Sequence, residues 1–232
     1  GSVDELLKHG DMAMYQAKLA GKNRYHVFDT EHDRHVRGLH EDLEAIRQAM
    51  QRNEFELHYQ PKVNMRTGEL VGCEALIRWH HPMRGLLSPG SFLPSLQGDV
   101  LAVELGDWVL ATAVAQMQAW KTQGLHIPVS VNVDGLHLQQ PDFVPKLQTL
   151  LASHPLVQPG DLELEVLESS ALDDIVTVSG VMRACRSLGV EFALDDFGTG
   201  YSSLTYLRRL PASVLKIDIS FVRDLLDDPN DM

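Results

Sequence analysis

From residue 127 onward the chain alternates short apolar segments with amphipathic stretches, and this alternation restricts the fold more than any other feature. Strands are expected at 127–133, 162–167, 190–194 and 214–217. Helices are expected at about 141–152, 173–188 and 202–209, with another starting near Ser220. Units of this kind build a parallel sheet covered by helices through right-handed crossovers. Their short, even spacing favours a closed barrel over an open doubly wound sheet. Two further strands are expected upstream, at 55–59 and 70–79, with a turn at Thr67-Gly68 and a long apolar-faced helix at 101–120. That makes about six strands where a (β/α)8 barrel has eight. The expected fold is therefore α/β, an incomplete TIM-like barrel. The pattern stops just inside a helix, at Asp228-Pro229-Asn230-Asp231-Met232, which reads as a C-terminal truncation.

The first thirty residues form a separate pattern. A helix is expected over about 3–25, with Gly21 suited to its C-terminus, followed by an extended Tyr25-His26-Val27-Phe28. One helix and one short strand cannot bury their own faces, so this piece is expected to belong to a preceding domain. A charged helix over 31–52, with Leu39, Leu43, Ile46 and Met50 on one side, reads as the linker. Gly1-Ser2 resembles a cloning remnant.

Composition narrows the function. With 232 residues, 44% hydrophobic and 22% charged, the chain can bury one sizeable core. A net charge of -12 repels polyphosphate, which argues against a general nucleic-acid grip but leaves a small anionic substrate open. Cys73 and Cys185 have no close-spaced partner, which suits two buried hydrophobes in a reducing cytoplasm. No apolar run reaches membrane-spanning length, and no signal sequence opens the chain.

Functional side chains in parallel α/β folds collect at the carboxyl ends of strands. Read that way, the chain presents Glu74, Asn132, Glu165, Asp195, Asp196, Lys216 and Asp218. Most are hard oxygen donors, which suit Mg2+ or Mn2+ and not zinc or copper. Glu163 and Glu165 share one strand face, and spacing does not separate them. Asp195 and Asp196 point to opposite faces of a regular strand, although the second can swing over the mouth at a strand end. His80-His81 fits capping or packing better than metal binding, because adjacent side chains diverge. Gly198-Thr199-Gly200 lacks the Gly-Lys-Ser/Thr of a phosphate loop and reads as a loop over the site mouth.

Five segments together resemble the EAL domain family, bacterial phosphodiesterases of cyclic di-GMP. They are Cys73-Glu74-Ala75-Leu76-Ile77-Arg78-Trp79-His80-His81-Pro82, Val129-Ser130-Val131-Asn132, the stretch 162–169, the stretch 195–204 beginning Asp195-Asp196-Phe197-Gly198, and Leu215-Lys216-Ile217-Asp218. Asp11-Met12-Ala13-Met14-Tyr15-Gln16-Ala17-Lys18 with Gly21-Lys22-Asn23-Arg24-Tyr25 resembles the end of a GGDEF domain. The resemblance implies a GGDEF remnant over 1–30, a linker over 31–52 and a truncated EAL domain over 53–232.

It further implies a two-metal site of Mg2+ or Mn2+ held by Glu74, Asn132, Glu165 and Asp195, with Asp196 reaching the second ion. Glu74, Asp195, Asp196 and Lys216 would carry catalysis, Lys216 by positioning or deprotonating the attacking water. Arg78, Leu76 and Gln60 would contact the substrate, and Glu168 would steady the loop after Asp196. The implied product is linear pGpG, and the implied assembly is a homodimer through the EAL domain. Ser95-Leu96-Gln97-Gly98-Asp99 and Asp134-Gly135 depart from the family pattern. A further metal-ligating glutamate and a substrate-contacting glutamine are expected in strands beyond residue 232, so weak turnover is expected of this segment alone. The rival expectation is a degenerate module that binds cyclic di-GMP or a protein without turnover.

Overall fold

The computed structural model describes residues 30–198 and 210–223. The expected helix at 3–25, the strand at 25–28, the helix at 202–209, and Thr199-Gly200 lie outside the described residues. The chain divides into two compact units, Gly1–Gln48 and Ala49–Met232. Helix α1 (Thr30–Gln51) occupies the stretch expected to be a charged helix.

Strands β1 (Phe55–Val63) and β2 (Leu70–His81) form an antiparallel hairpin paired from Phe55↔Trp79 to Val63↔Leu70. Asn64 closes its turn by accepting from the Arg66 and Thr67 amides at 2.9 and 3.3 Å, and Gly68 supplies the positive φ of 73°. A short β3 (Gly85–Leu87) folds back on β2. His81 caps that turn, its Nδ1 accepting from the Met83 and Arg84 amides at 3.1 Å each. The expected capping role of this histidine pair thus holds for His81.

Helix α2 (Leu101–Thr122) follows, its Leu101 amide donating to Asp99 Oδ1 at 2.8 Å. Then come β4 (Val129–Asn132), α3 (Gly135–Leu138), α4 (Phe143–Ala152) and β5 (Leu162–Leu167). Helices α5 (Glu168–Asp173) and α6 (Ile175–Ser187), β6 (Glu191–Phe197), β7 (Val214–Ile217) and α7 (Ser220–Arg223) complete the described chain. The sheet order is β1-β2-β4-β5-β6-β7, with β3 beside β2. All pairs from β2-β4 to β6-β7 are parallel. Among the described residues the sheet is open, an incomplete (β/α)8-type barrel.

The two-residue period gives each parallel strand one apolar and one polar face. Val129, Val131, Leu162, Leu164, Val166, Phe192 and Leu194 are buried on the apolar face. Each such side chain contributes about 1.5–3 kcal/mol on leaving water. Helix α2 answers with Leu101, Leu105, Val109, Leu110, Ala113 and Met117, the core role expected of it. The alternate positions Ser130, Asn132, Glu163, Glu165 and Asp195 lie on the opposite face.

Several expectations need correction. Strand β1 runs four residues past Tyr59, and its pairing with β2 is antiparallel. Pro61 lacks an amide proton, but β1 ends the sheet order, where that loss is tolerated. The helix expected at 173–188 is α6, and the short α5 before it was not expected; the two meet at Asp174, whose side chain accepts from the Thr177 amide at 3.1 Å. Helix α3 was not expected. Asp134 caps it by accepting from the Leu136 amide at 2.8 Å, so the Asp134-Gly135 departure builds a helix start beside Asn132.

Candidate active site

Three strands far apart in sequence bring acids to one lysine. Lys216, the third residue of β7, places Nζ 2.9 Å from Asp195 Oδ2 and 3.3 Å from Glu74 Oε2. The same ammonium donates to Glu165 Oε2. Asn132, the last residue of β4, donates from Nδ2 to Glu74 Oε1 at 2.7 Å. The five residues singled out in sequence as Glu74, Asn132, Glu165, Asp195 and Lys216 are thus gathered in one cluster. Glu74 is not at a strand end, however: β2 continues seven residues beyond it to His81. Its partner in β4 is Ser130, two residues before Asn132.

Burial tunes these groups. The Glu165 side chain has 0% exposure while Lys216 keeps 26%. Burial pushes the Glu165 carboxyl up, the Lys216 hydrogen bond opposes this, and the neighbouring Glu74 charge adds to the rise. Burial pulls the Lys216 ammonium down, but hydrogen bonds to Glu165 and Asp195 outweigh it and hold the ammonium above the usual lysine range.

The Asp195-Asp196 pair is set by a bulge. Register between β6 and β7 slips between Leu194 and Phe197, and Asp196 takes a φ of 54°. Aspartate tolerates that left-handed conformation better than most residues. The bulge lets Asp195 remain in the cluster while Asp196 is turned to an exposed position at the strand end. Burial raises the Asp196 carboxyl, and the charges of Asp195 and Asp218 raise it further.

Glu168, at the start of α5, is 2% exposed. Its Oε2 accepts from the Gly198 amide at 3.1 Å, directly after the bulge, and its buried Oε1 has no hydrogen-bond partner. Gly198 has a φ of 100°, and a methyl group there would meet the Phe221 ring at 2.9 Å. Arg78 and Leu76 lie on β2 on the same face as Glu74, both half-buried, and Gln60 pairs with Glu74 across the hairpin. The Arg78 guanidinium donates to the Ile77 carbonyl at 2.9 Å.

The cluster also contains residues that the motif reading passed over. Lys62 of β1 reaches Glu163 Oε1 at 2.8 Å and donates to Ser130 Oγ. Ser130 in turn donates to Glu163 Oε1 at 2.5 Å. Alternation from Gln60 was the available signal for Lys62. Glu163 and Glu165 both lie on this face, Glu163 paired with Lys62 and Glu165 with Lys216.

Among the described residues, no three ligating side chains are gathered as a preformed metal cluster. The carboxylates are drawn to the Lys216 ammonium, which stands where a cation of that donor set is favoured. The chemistry nevertheless fits a hard divalent ion: all the converging donors are oxygens, and the buried Glu165 Oε1 lacks a hydrogen bond. The interior holds Glu74, Glu163, Glu165 and Asp195 against two ammonium groups, leaving excess negative charge.

Comparisons with known proteins agree with this geometry. The family model described as "EAL domain" matches residues 43–232. The chain is 42% identical over 229 residues to the bifunctional diguanylate cyclase/cyclic di-GMP phosphodiesterase MucR of Pseudomonas aeruginosa, covering 98% of this chain and 33% of that protein. It is 39% identical over 188 residues to the cyclic di-GMP phosphodiesterase PA2567 of the same organism, covering 81% of this chain and 32% of that one. The chain thus spans about a third of the length of these curated relatives. Among solved structures, a PaMucR phosphodiesterase in complex with c-di-GMP matches with a TM-score of 0.77 and 42% identity, covering 82% of this chain and 77% of that one. The EAL enzyme Bd1971 in its cAMP- and cyclic-di-GMP-bound form matches with a TM-score of 0.80 and 31% identity, covering 100% of this chain and 61% of that one. The matched region contains every strand of the sheet and every residue of the acidic cluster, and the chain belongs to the EAL domain family.

Proposed function

We propose that this chain carries the catalytic face of a cyclic di-GMP phosphodiesterase that releases linear pGpG with the aid of Mg2+ or Mn2+. The observation that carries the reading is the convergence of Glu74, Glu165 and Asp195, from three strands, on a single cationic point at Lys216 Nζ. Names of relatives support it: both MucR and PA2567 are described as cyclic di-GMP phosphodiesterases.

Glu74, Asn132, Glu165 and Asp195 would hold one ion, and Asp196 would hold a second. Held by these residues, such ions would supply an activated water and charge neutralisation for in-line displacement at phosphorus. Lys216 would position the attacking water or take its proton, and its charge would offset that of the phosphoryl group. Arg78 would release the Ile77 carbonyl and bind a phosphate oxygen pair with its planar guanidinium. Leu76 and Gln60 would line the substrate on the same hairpin face. Glu168 would hold the Gly198 backbone and with it the bulge that separates Asp195 from Asp196.

The domain reading is likewise proposed: a GGDEF remnant over 1–30, a linker over 31–52 and an EAL domain over 53–232. It is supported by the alignment to a bifunctional relative, which extends N-terminal to the family match at residue 43. A homodimer through the EAL domain and a cytoplasmic setting belong to the same proposal. Two buried free cysteines favour the latter, and among the described residues no helix is long and apolar enough to cross a membrane. The test is incubation of the full-length protein with cyclic di-GMP and Mg2+: accumulation of pGpG is expected, and its absence overturns the reading.

A further inference from the structure

Lys62 lies outside the motifs that carry the family resemblance. It follows Pro61 on β1 and pairs with Gly72. A methyl group on Gly72 would meet the Pro128 carbonyl oxygen at 2.9 Å and touch the Lys62 stem only in ordinary contact, at 3.7 Å from Cε. The ammonium reaches two neighbouring strands: it donates to Ser130 Oγ of β4, contacts Glu163 Oε1 of β5 at 2.8 Å, and lies 3.5 Å from Glu165 Oε1, also of β5. Ser130 is 2% exposed and closes the triangle through its own bond to Glu163.

The two glutamates lie two residues apart on one face and carry the same side chain. Nothing in β5 itself makes one of them the ligand. What differs is the cation each meets. Glu163 is held by Lys62 and Ser130 together, so both of its immediate partners are supplied from below. Glu165 turns Oε2 toward Lys216 and leaves Oε1 facing Lys62 without a hydrogen bond.

We infer that Lys62 is a positioning residue that selects Glu165 as the presented carboxylate, by sequestering Glu163 and backing the second oxygen of Glu165. This rests on the proposed metal role of Glu165. Groups behind a ligating carboxylate commonly change affinity or activity by about 10- to 100-fold when removed. Here two consequences have opposite sign. Losing the Lys62 charge removes repulsion and frees a second carboxylate, so a divalent ion binds at least as tightly. The freed Glu163 then competes with the productive arrangement, so turnover falls.

The test uses the full-length protein and two readouts: Mn2+ binding followed directly by electron paramagnetic resonance, and cyclic di-GMP turnover at saturating Mn2+. Lys62→Met is expected to keep or tighten Mn2+ binding while turnover falls about tenfold or more. Lys62→Arg is expected to stay within about threefold of wild type on both. Adding Glu163→Gln to Lys62→Met is expected to recover turnover by about threefold or more, because the competing carboxylate is gone. Melting temperatures of the variants identify any loss of fold. Unchanged turnover in Lys62→Met, or a double variant no faster than Lys62→Met alone, overturns the inference. A wild-type protein that binds no Mn2+ overturns the metal reading beneath it, which is a different failure.

Discussion

Glu165 sits between two ammonium groups, Lys216 on one oxygen and Lys62 near the other, with its side chain fully enclosed. An ionised carboxylate in that position is tolerable only because both cations are present. This arrangement was only half legible in sequence. The strand-end acids could be listed from the pattern, but Glu163 and Glu165 occupy one face and differ only in partners contributed by strands about 100 and about 50 residues away. Glu74 carries a sharper expectation. Glu74→Ala in the full-length protein is expected to lower turnover at least about 100-fold while the melting temperature changes little, since Glu74 is partly exposed and its loss relieves crowding among like charges. Wild-type turnover in this variant would show that the cluster is not the reacting site.

A second titratable group acts on stability, away from the acidic cluster. Burial raises the Asp107 carboxyl, but hydrogen bonds from Lys146 Nζ and His137 Nε2, each at 2.8 Å, outweigh it and hold the acid below the usual carboxylate range. A lowered acid adds stability above its unfolded value of about 4, and that stability is lost as pH falls through the lower folded value. Asp107→Asn is expected to make the fall of melting temperature below about pH 4 shallower than in wild type. An identical acid limb in thermal melts would refute this.

Helices α2 and α3 meet where α2 has no side chain. A methyl group on Gly106 would overlap the His137 ring, which is 1% exposed and fixed by Asp107 and by the Phe143 ring at 4.9 Å. Gly106→Ala would gain about 1 kcal/mol of helix propensity. Overpacking a pinned ring costs about 1–3 kcal/mol. The net expectation is a less stable protein in denaturant unfolding; a stabilised variant would mean that the two helices separate freely. Neither α3 nor this contact was visible beforehand, because Gly135-Leu136-His137-Leu138 is too short to show a helical period. The β1–β2 hairpin was visible but underestimated. Gln60-Pro61-Lys62 interrupts the apolar alternation, and only its place at the end of the sheet order makes it a strand. The bulge at Asp196 escaped for another reason: a register slip is a relation between two strands, β6 and β7, and leaves no periodic trace in either.

Across the second unit, the sheet separates two chemistries that the chain alternates residue by residue. One face is Val, Leu, Ile and Phe against helices; the other collects acids and two lysines around one point. The alternation made the fold class readable from residue 127 onward, whereas the pairing of charges depended on which strands became neighbours. The excess of carboxylates over ammonium groups on that face is the property from which the proposed metal chemistry is argued. The measurement that bears most directly on this is cyclic di-GMP turnover by the full-length protein with Mg2+ and again after chelation by EDTA. Accumulation of pGpG with Mg2+, abolished by EDTA and restored by adding Mg2+ back, is the predicted result. No pGpG with Mg2+, or turnover indifferent to EDTA, would contradict a metal-dependent phosphodiesterase built on Glu74, Glu165, Asp195 and Lys216.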